Sequence, residues 1–225
     1  MTLTTPIKRP ESLSEIAEAH IRNSIVRGVF KLGESLPEAK LSAEMGISKT
    51  PVREALAALK LQGLVQFFPQ RGAFVFTLTK EDVLQLCHYR MILEGAAIDA
   101  AMKESPTALI SKLDDLLLQM SQAHENSAFD LYLELDAAFH EAFFEFGANA
   151  YLKEGYQKVS DIVRTMRTHL SKQPERTSKS FQEHDDILTL LREGKLQPAK
   201  DVLNTQITRG IRSYSDFVHT EGRDL

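Results

Sequence analysis

Residues 46–56 read Gly46-Ile47-Ser48-Lys49-Thr50-Pro51-Val52-Arg53-Glu54-Ala55-Leu56, and residues 63–75 read Gly63-Leu64-Val65-Gln66-Phe67-Phe68-Pro69-Gln70-Arg71-Gly72-Ala73-Phe74-Val75. A change of period between them decides the fold of the N-terminal third. Ser48 is an N-cap residue type, and Pro51 is tolerated in a first turn, where N–H groups lack intrahelical partners. Val52, Leu56 and Leu59 then recur at helical spacing up to Gly63, a typical residue just past a helix end. Beyond Gly63 two short strands, 64–68 and 73–76, flank the turn Pro69-Gln70-Arg71-Gly72. Upstream, Pro37 opens a short helix carrying Ala39, Leu41 and Met45 and ended by Gly46. A loop through Phe30, Leu32 and Gly33 precedes it. Leu13, Ile16, Ala17, Ile21 and Ile25 mark a first helix that stops at Gly28. Three helices closed by one hairpin predict a winged helix-turn-helix over residues 1–76.

Downstream the chain has almost no strand signal, so the fold class is mainly α. A linker over 77–80 leads to a helix opened by Thr79, Glu81 and Asp82 and running to about Ser105. Further helices are expected from Pro106, from Ser127 to Gly147, and over 149–171, 177–193 and 197–219. Short loops between them predict an antiparallel bundle of six helices, or seven, over residues 81–225. The most linker-like stretch inside it is 171–180, SKQPERTSKS.

Composition sets the outer bounds. With 43% hydrophobic and 26% charged residues in 225, the chain can build a core and is neither disordered nor fibrous. The longest run free of formal charge is the ten residues from Leu61 to Gln70, half of what a bilayer helix needs. MTLTTPIKRP lacks an apolar signal core, so no membrane association and a cytoplasmic location are expected. Cys87 is the only cysteine, which excludes an internal disulfide and a thiolate metal cluster within the chain. The net charge of −4 is unevenly spread: residues 1–76 hold 10 Lys/Arg against 7 Asp/Glu, and residues 77–225 hold 17 against 24. A basic N-terminal part suits a polyanion.

On the third helix, Lys49, Arg53 and Lys60 fall within about 40° of one another beside the apolar stripe. Ser48, Lys49 and Thr50 sit at its N-terminus, where backbone N–H groups and the helix dipole suit a phosphate. Arg53 is the residue expected to read guanine, because its planar fork matches O6 and N7 together. Arg71 and Gly72 at the hairpin tip are the second expected contact. A solvated basic face and a polar turn are the plainer readings of the same residues.

These stretches resemble the DNA-binding domain of the GntR family of bacterial transcription regulators. The resemblance rests on Gly28-x-Phe30-x-x-Gly33-x-x-Leu36, residues 46–56, Gly63-Leu64-Val65 and Gln70-Arg71-Gly72-Ala73-Phe74-Val75. Lys49 stands where the family usually has arginine, and Ala39 where some members have one, departures that bear on operator sequence rather than on DNA binding.

In the bundle, Phe129, Leu133, Ala137 and Phe144 mark a core stripe on which Asp136 and His140 also fall. His184 interrupts a stripe of Phe181, Leu188 and Leu191, and Gln206 one of Ala199, Leu203 and Gly210. Buried polar groups need partners, and two residues four apart on a helix can reach one cation. A satisfied core His–Asp pair and a metal or ligand site are both open on pattern alone. This part resembles the ligand-sensing FCD domain of the FadR subgroup of GntR regulators, through Arg90-x-x-Leu93-Glu94, Asp136-x-x-Phe139-His140, Asn149 and Glu183-His184. The resemblance implies a divalent metal, zinc, nickel or manganese, held by Asp136, His140 and His184, with Gln206 in place of the usual fourth ligand, a histidine. An amide oxygen is a poorer ligand for zinc or nickel than imidazole. Gln206 could instead bond an organic effector directly, with Arg90, Arg164 or Arg167 pairing its carboxylate; interhelix salt bridges are the plainer role for those arginines.

The expected function is therefore a metabolite-responsive transcription regulator, not an enzyme. It is expected to be a homodimeric repressor on a pseudo-palindromic operator, with a small carboxylate effector favouring one placement of the domains about residues 76–80. Two other readings are a metal-dependent hydrolase using Asp136, His140 and His184, and a DNA-binding adaptor whose bundle only dimerises. The hydrolase reading finds no nearby general base and leaves the winged helix unexplained.

Overall fold

The structure is a computed structural model and describes residues 10–170 and 174–221; the expectation for the first nine residues lies outside the described part. The chain divides into two compact units on either side of the Thr77–Leu78 bond.

The first unit contains α1 (Leu13–Val26), α2 (Glu38–Met45), α3 (Lys49–Leu61), β1 (Val65–Phe68) and β2 (Gly72–Val75). Ser12 and Glu15 close α1 with a reciprocal capping box. The α1 stripe is narrower than its sequence period suggests. Ala17, Ile21 and Ile25 are fully buried, whereas Leu13 and Ile16 face solvent, because among the described residues α3 is the main element packed along the helix. Val52, Leu56 and Leu59 meet them as expected. Between α2 and α3, Gly46 adopts φ +66°. That left-handed conformation gives the sharp turn that sets α3 across α2, and it favours glycine strongly.

The hairpin pairs Val65 with Val75 and Phe68 with Gly72. Residues 33–36, expected as loop, lie along β2: Leu36 N–H donates to the Ala73 carbonyl at 2.8 Å and Val75 N–H to the Glu34 carbonyl at 2.8 Å. Short extended stretches without alternating polarity leave no sequence signature, so this edge is visible only once β2 is in place.

Among the described residues the second unit has six helices: α4 (Lys80–Glu104), α5 (Pro106–Glu125), α6 (Phe129–Phe146), α7 (Ala150–Leu170), α8 (Pro174–Arg192) and α9 (Leu196–Glu221). Thr79 and Asp82 form a capping box at the start of α4. α8 begins at Pro174 rather than near 177, so most of the linker-like stretch is its first turns, while 171–173 lie outside the described residues. Phe139, Phe143, Leu188, Leu191 and Leu203 are buried, but Phe129 is exposed at the first residue of α6, beyond the reach of its neighbours. α4 packs against α6, α7 and α9, and α8 against α5 and α9. This arrangement carries residues 90, 136, 140, 184 and 206 on four helices around one interior. On α9, the Tyr214 hydroxyl accepts from Leu78 N–H at 3.1 Å and donates to the Leu78 carbonyl at 2.5 Å, which ties the start of this unit to its last helix. No helix is long and apolar enough to cross a membrane among the described residues.

Candidate DNA-reading face and buried polar site

On the first unit, Ser48, Lys49, Thr50 and Arg53 are all exposed on the first turns of α3. Ser48 occupies the N-cap position without a side-chain capping bond. Arg53 is engaged by a residue that the sequence reading missed. Its Nε donates to Glu38 Oε1 at 3.0 Å, and its Nη2 to Glu38 Oε2 at 2.8 Å. The guanidinium bonded to Glu38 holds that carboxyl below the usual range, with Lys49 adding to the effect. Nothing in the sequence links positions 38 and 53; the turn at Gly46 brings them together.

At the hairpin tip, Gln70 has φ 62° and Gly72 φ 88°. Open space surrounds the place a Gly72 side chain would take, so backbone conformation rather than crowding requires glycine there. Arg71 lies over two rings, its Cζ 5.7 Å from the Phe68 centroid and 5.2 Å from that of Phe74. Those rings meet edge to face at 5.4 Å, so cation–π attraction orders the arginine while its side chain stays exposed.

In the second unit, the expected polar residues do converge. Ligand atoms of Asp136, His140 and His184 all lie within 4.8 Å of one another, and all three residues are buried. His184 Nε2 is 3.4 Å from His140 Nε2 and 3.5 Å from Asp136 Oδ1. Gln206 Nε2 is 3.4 Å from His184 Nε2, while its buried Oε1 has no hydrogen-bond partner among the described residues. Phe139 packs edge-on against His184 at 4.4 Å between centroids.

Around this group lies a shell of charge. His140 Nδ1 is 2.5 Å from Glu94 Oε2, and Arg90 Nε donates to Glu94 Oε1 at 2.8 Å. Arg167 Nη1 lies 2.6 Å from Asp136 Oδ2, an ion pair without hydrogen-bond alignment. Ser180 donates to Asp136 Oδ1 at 3.2 Å and lies 3.4 Å from Gln206 Nε2. Arg164 stands apart from this cluster, half-buried with Nη1 3.9 Å from Asp161 Oδ1. Glu94 and Ser180 each had a detectable signal, since they stand four residues from Arg90 and His184.

Burial opposes charge on every member, and the neighbours decide which stay charged. Burial raises the Asp136 carboxyl, but Arg167 and then the two imidazoles outweigh it and hold it at about 2. For Glu94 burial is again overcome, by Arg90 and then His140, to about 2. Burial pushes His184 down to about 3, against the pull of Asp136. His140 is lowered too, by burial and then by Arg167. Two carboxylates, two guanidiniums and two neutral imidazoles therefore share one interior. The Glu94 carboxylate on Nδ1 selects the tautomer of His140 that turns a lone pair at Nε2 toward His184.

Comparison with known proteins agrees with both halves. Residues 13–75 match the family described as "Bacterial regulatory proteins, gntR family", and residues 85–209 match the FCD domain. The HTH-type transcriptional repressor RspR of Escherichia coli K12 is 27% identical over 224 residues, covering 97% of this chain and 94% of RspR. The uncharacterized HTH-type transcriptional regulator YdhC of Bacillus subtilis is 27% identical over 181 residues, 80% of this chain and 81% of YdhC. A solved GntR transcriptional regulator from Rhodococcus sp. RHA1 shares the fold at a TM-score of 0.78 and 22% identity, with 90% of this chain and 97% of that one covered. The chain belongs to the GntR family of bacterial transcriptional regulators, and is a DNA-binding regulator with a ligand-binding FCD domain rather than an enzyme.

Proposed function

We propose that the protein is a repressor that binds a pseudo-palindromic operator as a homodimer and is controlled by a small carboxylate effector at the Asp136/His140/His184 site. Residues 1–76 serve as the DNA-binding domain, 77–80 as the linker and 81–225 as the effector-binding and dimerisation domain. Ser48, Lys49, Thr50 and Arg53 enter the major groove, and Arg71 with Gly72 lies against the backbone or minor groove. The whole-length similarity to a repressor, RspR, supports the sign of regulation. With the family assigned, the metal-dependent hydrolase reading of the buried site falls away.

The observation that carries the effector reading is the convergence of Asp136, His140 and His184 within 4.8 Å in a buried cluster of charged and polar groups. Two imidazole nitrogens 3.4 Å apart, with a carboxylate oxygen beside them, form an arrangement that a shared cation relieves. The donor set fits a divalent metal: one carboxylate and two neutral imidazoles, with Glu94 orienting His140. Turning over the Gln206 amide brings its unpaired oxygen toward His184 Nε2 as a fourth, weaker donor, which favours manganese relative to zinc or nickel. When bound, such an ion supplies open coordination positions and positive charge. The surrounding cluster is neutral by itself, so the occupied site attracts an anion. Arg90, whose buried Nη2 has no hydrogen-bond partner among the described residues, and Arg167 are placed to pair a carboxylate, with Gln206 bonding it from α9; Arg164 stands apart beside Asp161 and does not join them.

Three outcomes test this reading. Protein purified without chelator or affinity tag is expected to carry about one equivalent of manganese, zinc or nickel by elemental analysis, and His184→Ala to carry none; absence of metal from both contradicts a metal site. Arg53→Ala is expected to lose specific operator binding in an anisotropy titration while the circular dichroism spectrum is retained, and unchanged affinity contradicts its role in the groove. In metal-free protein, His140 and His184 take up protons in the unfolded chain near pH 6.5 but resist them when folded. Their stabilisation is therefore present above pH 6.5 and is lost as pH falls below it, for His184 down to about pH 3. Each histidine contributes a slope of up to about 1.4 kcal/mol per pH unit. Chemical denaturation at pH 7 and pH 5 should show the loss, and equal stability at both would contradict it.

A further inference from the structure

The DNA-reading face carries a carboxylate where the nucleic acid would bring more negative charge. Glu38 is the first residue of α2, and its side chain is 27% exposed against 68% for Arg53. The glutamate is thus the inner partner, and the guanidinium projects past it. A guanidinium offers five donors along two usable edges. Glu38 takes the side edge, through Nε at 3.0 Å and Nη2 at 2.8 Å. The end edge, Nη1 and the second hydrogen of Nη2, remains outside the pair. An end edge is a match for the O6 and N7 acceptors of guanine.

We propose that Glu38 is a positioning residue that fixes Arg53 end-on for a guanine and thereby sets operator specificity. The inference rests on the reading of Arg53 as a base-contacting residue. Its physical content has two parts. A long, exposed arginine loses rotamer freedom on binding, and a bidentate partner within the protein removes much of that freedom beforehand. A free arginine facing adenine, whose N6 amino group replaces the O6 acceptor, can swing to a phosphate and lose little. An arginine held by Glu38 keeps its fork against the wrong donor, so the mismatch is felt in full. The carboxylate also repels phosphates, which weakens non-specific association. Glu38 therefore favours discrimination at the expense of bare affinity.

Selection from a library of randomised duplexes, followed by anisotropy titrations at one salt concentration, tests this with the full chain. The wild-type protein should select a guanine that Arg53→Ala no longer selects. Glu38→Ala and Glu38→Gln should still bind DNA and melt like the wild type, but their preference for that guanine over adenine should fall about tenfold. Their affinity for unselected duplexes should be unchanged or higher. Full guanine preference in both Glu38 variants, or an equal loss on every duplex, overturns the role of Glu38 while leaving the reading of Arg53 intact. Guanine preference retained in Arg53→Ala overturns both.

Discussion

A buried network of charge organises the second unit, and its defining contact is the ion pair between Arg167 and Asp136. Asp136 is buried on α6, a helix whose Leu135, Phe139 and Phe143 are buried too, and there an unpaired carboxylate costs several kcal/mol. Arg167 from α7 outweighs that cost and keeps it ionised. A second pair, Arg90 with Glu94 on α4, does the same on the other side of His140. Burial, with Arg167 adding to it, keeps both histidines neutral against the pull of the two carboxylates, and Glu94 on Nδ1 leaves His140 a lone pair at Nε2 facing the shared interior. A hydrophobic replacement of the network would serve stability as well. Retention of so many polar groups in one interior is what gives the fold a candidate site.

The same logic of compensation runs through the DNA-reading unit at lower energy. Glu38 and Arg53 form an exposed pair, worth little to stability, yet on the proposed reading face it is the contact that holds the arginine. Arg71 is ordered by the Phe68 and Phe74 rings rather than by a carboxylate. Both arginines are thus held by partners within the unit while their side chains stay exposed. The Gly46 turn is the backbone condition for the first of these arrangements.

Much of this was legible in the sequence because helical period, caps and glycine stops are local. The change of period after Gly63 marked the wing, and Thr79 with Asp82 marked the start of α4. Asp136, His140, His184 and Gln206 stood out as polar residues on apolar stripes, and the fold brings them together. Pairings between distant residues were not legible. Glu38 meets Arg53 only through a turn, Ser180 reaches Asp136 across two helices, and residues 33–36 find β2 only after the hairpin exists. Leu13, Ile16 and Phe129 show the converse: apolar residues at the right period stay exposed where no partner element covers them.

The central claim is that occupancy of the Asp136/His140/His184 site controls DNA affinity, and the direct measurement is duplex affinity at fixed salt with the site emptied and filled. Chelator-treated protein, protein with manganese, and protein with manganese plus each of a panel of small carboxylates would be titrated against one selected duplex. At least one carboxylate should shift the affinity fivefold or more, within the usual range of allosteric coupling, and His184→Ala should abolish the shift. Identical affinity in every condition, with metal and carboxylate binding shown independently, would contradict the account and leave the buried network a structural feature alone.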